Sequence, residues 1–214
     1  IKTLDLIFFE SNSNGTGVFK GWKELTATSS SPLIMNTDIT FDFSDLGLSM
    51  TEAYDILVVA NMGDNYLSPD STWTLEEWKT VVKGKTFKQA KADIQAFMTG
   101  TSVEVPEYTT KPLESEALLM SASLRKESQD TKINVVLQRT VSRFDIHNSA
   151  AGYTLESVSI WNAYPSLFVW NGEPNAFDEK AKRIPRLYGV ESEAGADIVG
   201  KLYAFENYVA SPEQ

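Results

Sequence analysis

A mainly β chain, folded as a two-sheet antiparallel sandwich with one or two short helices, is predicted by three observations. Period-two alternation of apolar side chains recurs in short segments along most of the sequence. Helical period is confined to one stretch, where two capping boxes stand close together. Turn signals such as Gln129-Asp130 separate neighbouring strand-like segments, which then pair as antiparallel hairpins.

The elements follow in order. KTLDLIFFE opens the chain as a strand with Leu4, Leu6 and Phe8 on one side, and the Asn- and Gly-rich SNSNGTG ends it in a loop. After the polar TATSSSPLIMN loop, Ile39, Phe41 and Phe43 alternate with Thr40 and Asp42, which predicts a half-buried strand. YDILVVAN is apolar on both faces and reads as a central strand covered from each side. Thr74 and Glu77 form a capping box ahead of Leu75, Trp78 and Val82, the stripe of a short helix. Thr86 and Gln89 repeat the device, with Phe87, Ala90, Ile94 and Phe97 as the stripe of a second helix ending at Thr99-Gly100.

Period two returns at Leu118, Met120 and Ala122, and the turn at Gln129-Asp130 leads into KINVVLQRTVSRFDI as the second arm of a hairpin. Leu155, Val158 and Ile160 alternate imperfectly, as in a strand with a bulge. FVWNGEPNAF carries an Asn-Gly turn, residues 178–200 read as loop, and KLYAFENYV supplies a last strand.

Composition excludes several functions. Acidic residues outnumber basic ones 29 to 19, and the resulting charge of −10 repels nucleic-acid phosphate and anionic lipid. The longest apolar run, ILVVA, is far short of the roughly 18 residues that span a bilayer, so the chain reads as soluble. Without cysteine there is no disulfide, thiolate metal site or Cys nucleophile. No G-x-S-x-G, P-loop or dinucleotide fingerprint occurs.

The segment VVLQRTVSRFDIHNSA, 135–150, holds Arg139, Arg143 and the single histidine, His147. Its parity is irregular. Ile133, Val135, Leu137 and Val141 are apolar at odd positions, whereas Phe144 and Ile146 are apolar at even ones. A regular strand cannot exchange faces in this way, so a bulge or one helical turn is expected near 140–143, with the arginines at the kink. There each guanidinium serves either carbonyls and carboxylates left by the broken ladder or, as a sharper alternative, an anion clamp; the first is favoured. His147 lacks a second histidine at metal-ligand spacing and reads as a surface residue at a strand end.

Other candidates carry little chemistry. Asp38, Asp42 and Asp45 lack the spacing of a calcium loop and read as a solvated face. Asn14-Gly15-Thr16 matches a glycosylation acceptor, a common pattern. Trp161, Tyr164 and Trp170 could stack on sugar, although aromatics near strand ends are more often core or rim. No catalytic constellation, metal site or cofactor site is expected.

The order of segments LDLIFFE, YDILVVAN, GKTFKQAK, AFMTG, INVVLQRTVSRFDI and LYAFEN resembles the fimbrillin family, the FimA-type fimbrial subunits of Bacteroidetes, over about residues 4–207. The spacing of Arg139 and Arg143 behind Leu137, and Tyr203 with Glu206-Asn207, are its most particular parts. The resemblance implies a transthyretin-like sandwich over 1–177, with 178–214 as linker and final strand leading toward a second domain missing through truncation or proteolysis. It further implies an extracellular, non-enzymatic fimbrial subunit, lipid-anchored at the outer membrane as a precursor and soluble when mature. Its partners would be other fimbrial subunits, through donated β-strands, and surface receptors on host or bacterial cells; nucleic acid is not among them. The alternative is a carbohydrate-binding adhesin module at a fibre tip or on the cell surface, contacting glycan through Trp161, Tyr164 and Trp170.

Overall fold

The computed structural model describes residues 1–28, 32–34, 38–63, 74–97, 118–155, 157–163, 166–170, 184–189, 195 and 197–205, with the strands at 157–163, 184–189 and 198–205 described by their backbone pairing. Its frame is a five-stranded antiparallel sheet of β1 (Thr3–Glu10), β2 (Phe19–Thr26), β3 (Tyr54–Ala60), β5 (Met120–Lys126) and β6 (Gln138–Arg139). The spatial order is β2-β1-β3-β5-β6. Between these lie the helices α1 (Leu75–Lys83) and α2 (Phe87–Asp93) and the short strand β4 (Gln95–Phe97). The remaining strands are β7 (Val141–Ile146), β8 (Ser157–Ala163), β9 (Ser166–Phe168), β10 (Ile184–Gly189) and β11 (Ile198–Phe205). They form antiparallel two-stranded ladders: β8 with β10, β7 with β11, and β4 with β9. The mainly β, antiparallel sandwich with two short helices is thus what the sequence pattern predicts.

Every residue of β3 is buried. Its alternation therefore divides between two cores, because successive side chains leave opposite faces of the sheet. Leu57 and Val59, with Ile7 and Phe9 of β1, enter one core together with Trp78, Val82, Ala90, Ala96, Leu167 and Trp170. Tyr54, Ile56, Val58 and Ala60, with Leu4, Leu6 and Phe8, enter the other, closed by Leu33, Phe43 and Leu48. The helices and the β4–β9 ladder thus cover one face of the sheet, and Leu33 with residues 41–48 covers the other.

Local chemistry fixes the pieces. Both capping boxes form: the Thr74 side chain accepts from the Glu77 amide and the Glu77 carboxylate from the Thr74 amide, and Thr86 and Gln89 do the same. Asn61, directly after β3, adopts the left-handed conformation at φ 61°. Its side-chain oxygen accepts from the Lys2 amide at 2.7 Å, and its amide group donates to the Leu118 carbonyl at 2.8 Å. One short polar side chain therefore ties the entry of β1 and the approach to β5 to the end of β3.

Three expectations are corrected. Residues 39–42 are not a strand; Asp42 caps a 3-10 turn at Phe43–Leu46, its carboxylate accepting from the Ser44 amide at 2.8 Å. Phe43 still reaches the core, so burial obeyed the pattern while the backbone followed the Asx cap. The second helix stops at Asp93, because Ile94 turns extended at φ −80°, ψ 117° and the chain continues as β4. Within 178–200, read as loop, residues Ile184–Gly189 form β10. The pattern also missed β2, whose Gly21 interrupts alternation; a Cβ there would lie 3.3 Å from Leu48 Cδ1.

Because Leu57 is fully buried in a strand paired on both sides, Leu57→Ala is expected to lower unfolding free energy by about 3–4 kcal/mol. Urea denaturation followed by tryptophan fluorescence measures it, and a loss below about 1 kcal/mol would contradict the two-core arrangement.

Candidate interaction surface

The irregular parity around Thr140 has a simple structural cause. Gln138 and Arg139 pair with Ser121 and Met120 in the five-stranded sheet, whereas Val141 onward pairs with β11 in a different ladder. The chain changes sheets at Thr140. Ile133, Val135 and Leu137 pack against the core on the 33–48 side, and Val141 enters the helix-side core. Buried Thr140 secures the crossing by donating both its amide, at 3.2 Å, and its hydroxyl, at 3.1 Å, to the Leu119 carbonyl. The expected bulge is thus a strand that passes from one layer to the other.

The arginines flank that crossing. Both are exposed. The Arg143 guanidinium lies 2.9 Å from Asp145, the neighbouring carboxylate that its favoured reading requires. Arg139 ends β6 opposite Met120. His147 follows the last residue of β7, with a side chain 74% exposed and Nδ1 2.8 Å from Asp197. The same carboxylate accepts from the Asn148 amide at 2.8 Å. The hydrogen bond to Asp197 raises the histidine above its ordinary range, and the same bond, with that from Asn148, lowers Asp197. This pair fastens the end of β7 to the residue before β11.

Of the three aromatics proposed for sugar stacking, the structure describes the side chain of Trp170. Trp170 is a core residue, 6% exposed, and its indole N–H donates to the Val58 carbonyl at 2.9 Å. Trp161 lies in β8, and Tyr164 falls outside the described residues. Asp38, Asp42 and Asp45 are exposed, and Asp42, held low by hydrogen bonds from Ser44, is occupied as a cap.

Sequence reading missed the buried charges. Lys126 is 1% exposed, and its ammonium donates to the carbonyls of Met50 at 2.7 Å, Glu52 at 3.1 Å and Glu127 at 3.0 Å, filling its three donor positions. Lys79, which burial pulls down, is raised overall by hydrogen bonds to Glu24 at 2.7 Å and Glu76 at 3.1 Å. Burial pushes the Asp5 carboxyl up, partly offset by the Trp22 indole that donates to it at 2.8 Å. Among the described residues no group of three His, Cys, Asp or Glu side chains could hold a metal ion. The polar groups here seal edges and pin turns.

No protein-family model and no curated protein matches the chain. Two solved structures do share its fold. One is a Bacteroides ovatus protein assigned as an adhesin, at TM-score 0.54 and 14% identity; the other is a Parabacteroides distasonis ATCC 8503 protein assigned as a cell adhesion protein, at TM-score 0.50 and 15% identity. Each similarity covers 99% of this chain, which spans 63% of the length of each of those proteins. Among the described residues no helix is long and apolar enough to cross a membrane.

Two outcomes are expected from these sites. His147 is raised by a partner, so its ion pair is fully formed below the unfolded histidine value near 6.5 and is lost as pH rises through the higher folded value. An NMR titration should place the imidazole midpoint above 6.5 and Asp197→Asn should return it to the ordinary range; an unshifted wild-type midpoint refutes the clasp. Lys126→Met, which leaves three carbonyls without their donor, should cost about 2–4 kcal/mol in chemical denaturation.

Proposed function

We propose that this chain is a domain of a bacterial surface fibre, a fimbrial subunit that is extracellular, non-enzymatic and joined to its neighbours by strand addition. The observation that carries the reading is a sandwich closed by packing on both faces of its main sheet and, among the described residues, without a further strand at its edges. Supporting it is a fold held in common, over 99% of the chain, with two proteins assigned to adhesion. A sheet edge offers unpaired N–H and C=O groups at strand spacing, and an incoming strand satisfies them while apolar pockets read its alternate side chains. Such a joint needs no cofactor and no reactive residue. Within this reading the precursor is carried to the outer membrane by a lipid anchor, and the domain works as stalk, anchor or tip.

Immunogold labelling of the producing cells with antibodies against this domain tests the reading. Regularly labelled surface fibres are expected, and protein confined to the cell interior would overturn it. The rival, a glycan-binding module, is separated by a glycan array and Trp170→Ala. The fibre reading expects no specific glycan and a stability loss of about 3–5 kcal/mol on removing the indole. A specific glycan lost in a variant of unchanged stability would favour the rival.

A further inference from the structure

The two outer edges of the five-stranded sheet are built in opposite ways. The β2 edge carries Lys20 and Lys23 and lies beside a register irregularity between Phe8 and Phe9. Charge and irregular pairing are the usual means of blunting an edge against another strand. At the far side the ladder is only two residues long, since β6 is Gln138–Arg139. The preceding residues 132–137 alternate as a strand does, with Ile133, Val135 and Leu137 half-buried and Lys132, Asn134 and Val136 exposed. They nevertheless join no ladder, and among the described residues no hydrogen bond holds their backbone. Opposite them, Ala122–Lys126 of β5 pair with β3 on one side only.

This edge lacks the usual protection. Residues 131–137 contain no proline, and their one charge is Lys132 at the margin. Val136, 77% exposed, is the most exposed large hydrophobic among the described residues. The two charges between 131 and 142, Lys132 and Arg139, are both positive in a chain whose net charge is −10. A basic border on an acidic molecule is the complement of an acidic segment, and it offsets the repulsion between two such molecules where they meet.

We infer that the edge formed by residues 131–137 and the outer side of β5 receives an extended segment of another subunit, apolar at alternate positions and flanked by carboxylates. The inference rests on the strand-addition reading above and assigns it a place and a partner chemistry. Six successive peptide groups without partners among the described residues call for an extended backbone, which alone presents donors and acceptors at the matching spacing. The side chains of Ile133, Val135 and Leu137 already seat the segment on the core, so little ordering remains to oppose binding. Val136 adds an apolar contact, and Lys132 with Arg139 selects the flanking charge.

Hydrogen exchange read by mass spectrometry tests this on the chain itself with three synthetic nonapeptides. One alternates valine and threonine between terminal glutamates, the second has terminal lysines instead, and the third is the glutamate peptide with a central proline. Amides 132–137 should exchange freely in the isolated chain and slow by about tenfold or more with the glutamate peptide, but not with the other two at the same concentration. In the double variant K132E/R139E, whose altered residues are exposed, the preference should pass to the lysine peptide. Amides already protected in the isolated chain, or a preference unaltered in the double variant, would overturn the assignment. Protection arising at β2 instead would sink this edge and leave strand addition standing. Failure of every peptide to protect any amide would remove both.

Discussion

Strand β3 is the constraint on which the structure depends. Buried on both faces, it has no water to satisfy its peptide groups, so both of its edges must be paired. β1 and β5 do this along its length, from Tyr54 to Ala60 on either side. Once that triplet is set, side-chain alternation alone sends Leu57 and Val59 toward the helices and Ile56 and Val58 toward the 3-10 turn. Two separate apolar clusters then need covers, and the intervening segments supply them. The order of elements along the chain is therefore a consequence of one strand too apolar to lie at an edge.

Charge is placed where this scheme runs out. Lys126 closes the end of β5 with three carbonyls, while Lys79 joins α1 to β2 through Glu24. Both are held by several partners at short range.

Much of the fold was legible because burial leaves periodicity in sequence. The all-apolar YDILVVAN could only be central, and the two capping boxes marked both helix starts to the residue. The errors came where local hydrogen bonding or long-range pairing overrode pattern. Asp42 capped a turn inside an alternating stretch, and Gly21 hid a strand that the neighbouring β1 recruits. β10 has almost no alternation to read, being chosen by its pairing with β8. The interaction surface was legible in one respect only: the broken parity across 137–144 located the change of sheet, although not that it was a change of sheet. Trp170 misled because an indole that fills a core and one that stacks on sugar look alike as letters; its bond to Val58 separates them.

The crossing at Thr140 has a mechanical consequence. Residues 138–146 are hydrogen-bonded to β5 at one end and to β11 at the other. Tension along this stretch is therefore shared between two layers, and the layers cannot slide past each other until one of those ladders shears. Shear along a strand loads its hydrogen bonds together instead of opening them one after another, so a single continuous stretch of chain serves as a rivet through the body of the domain.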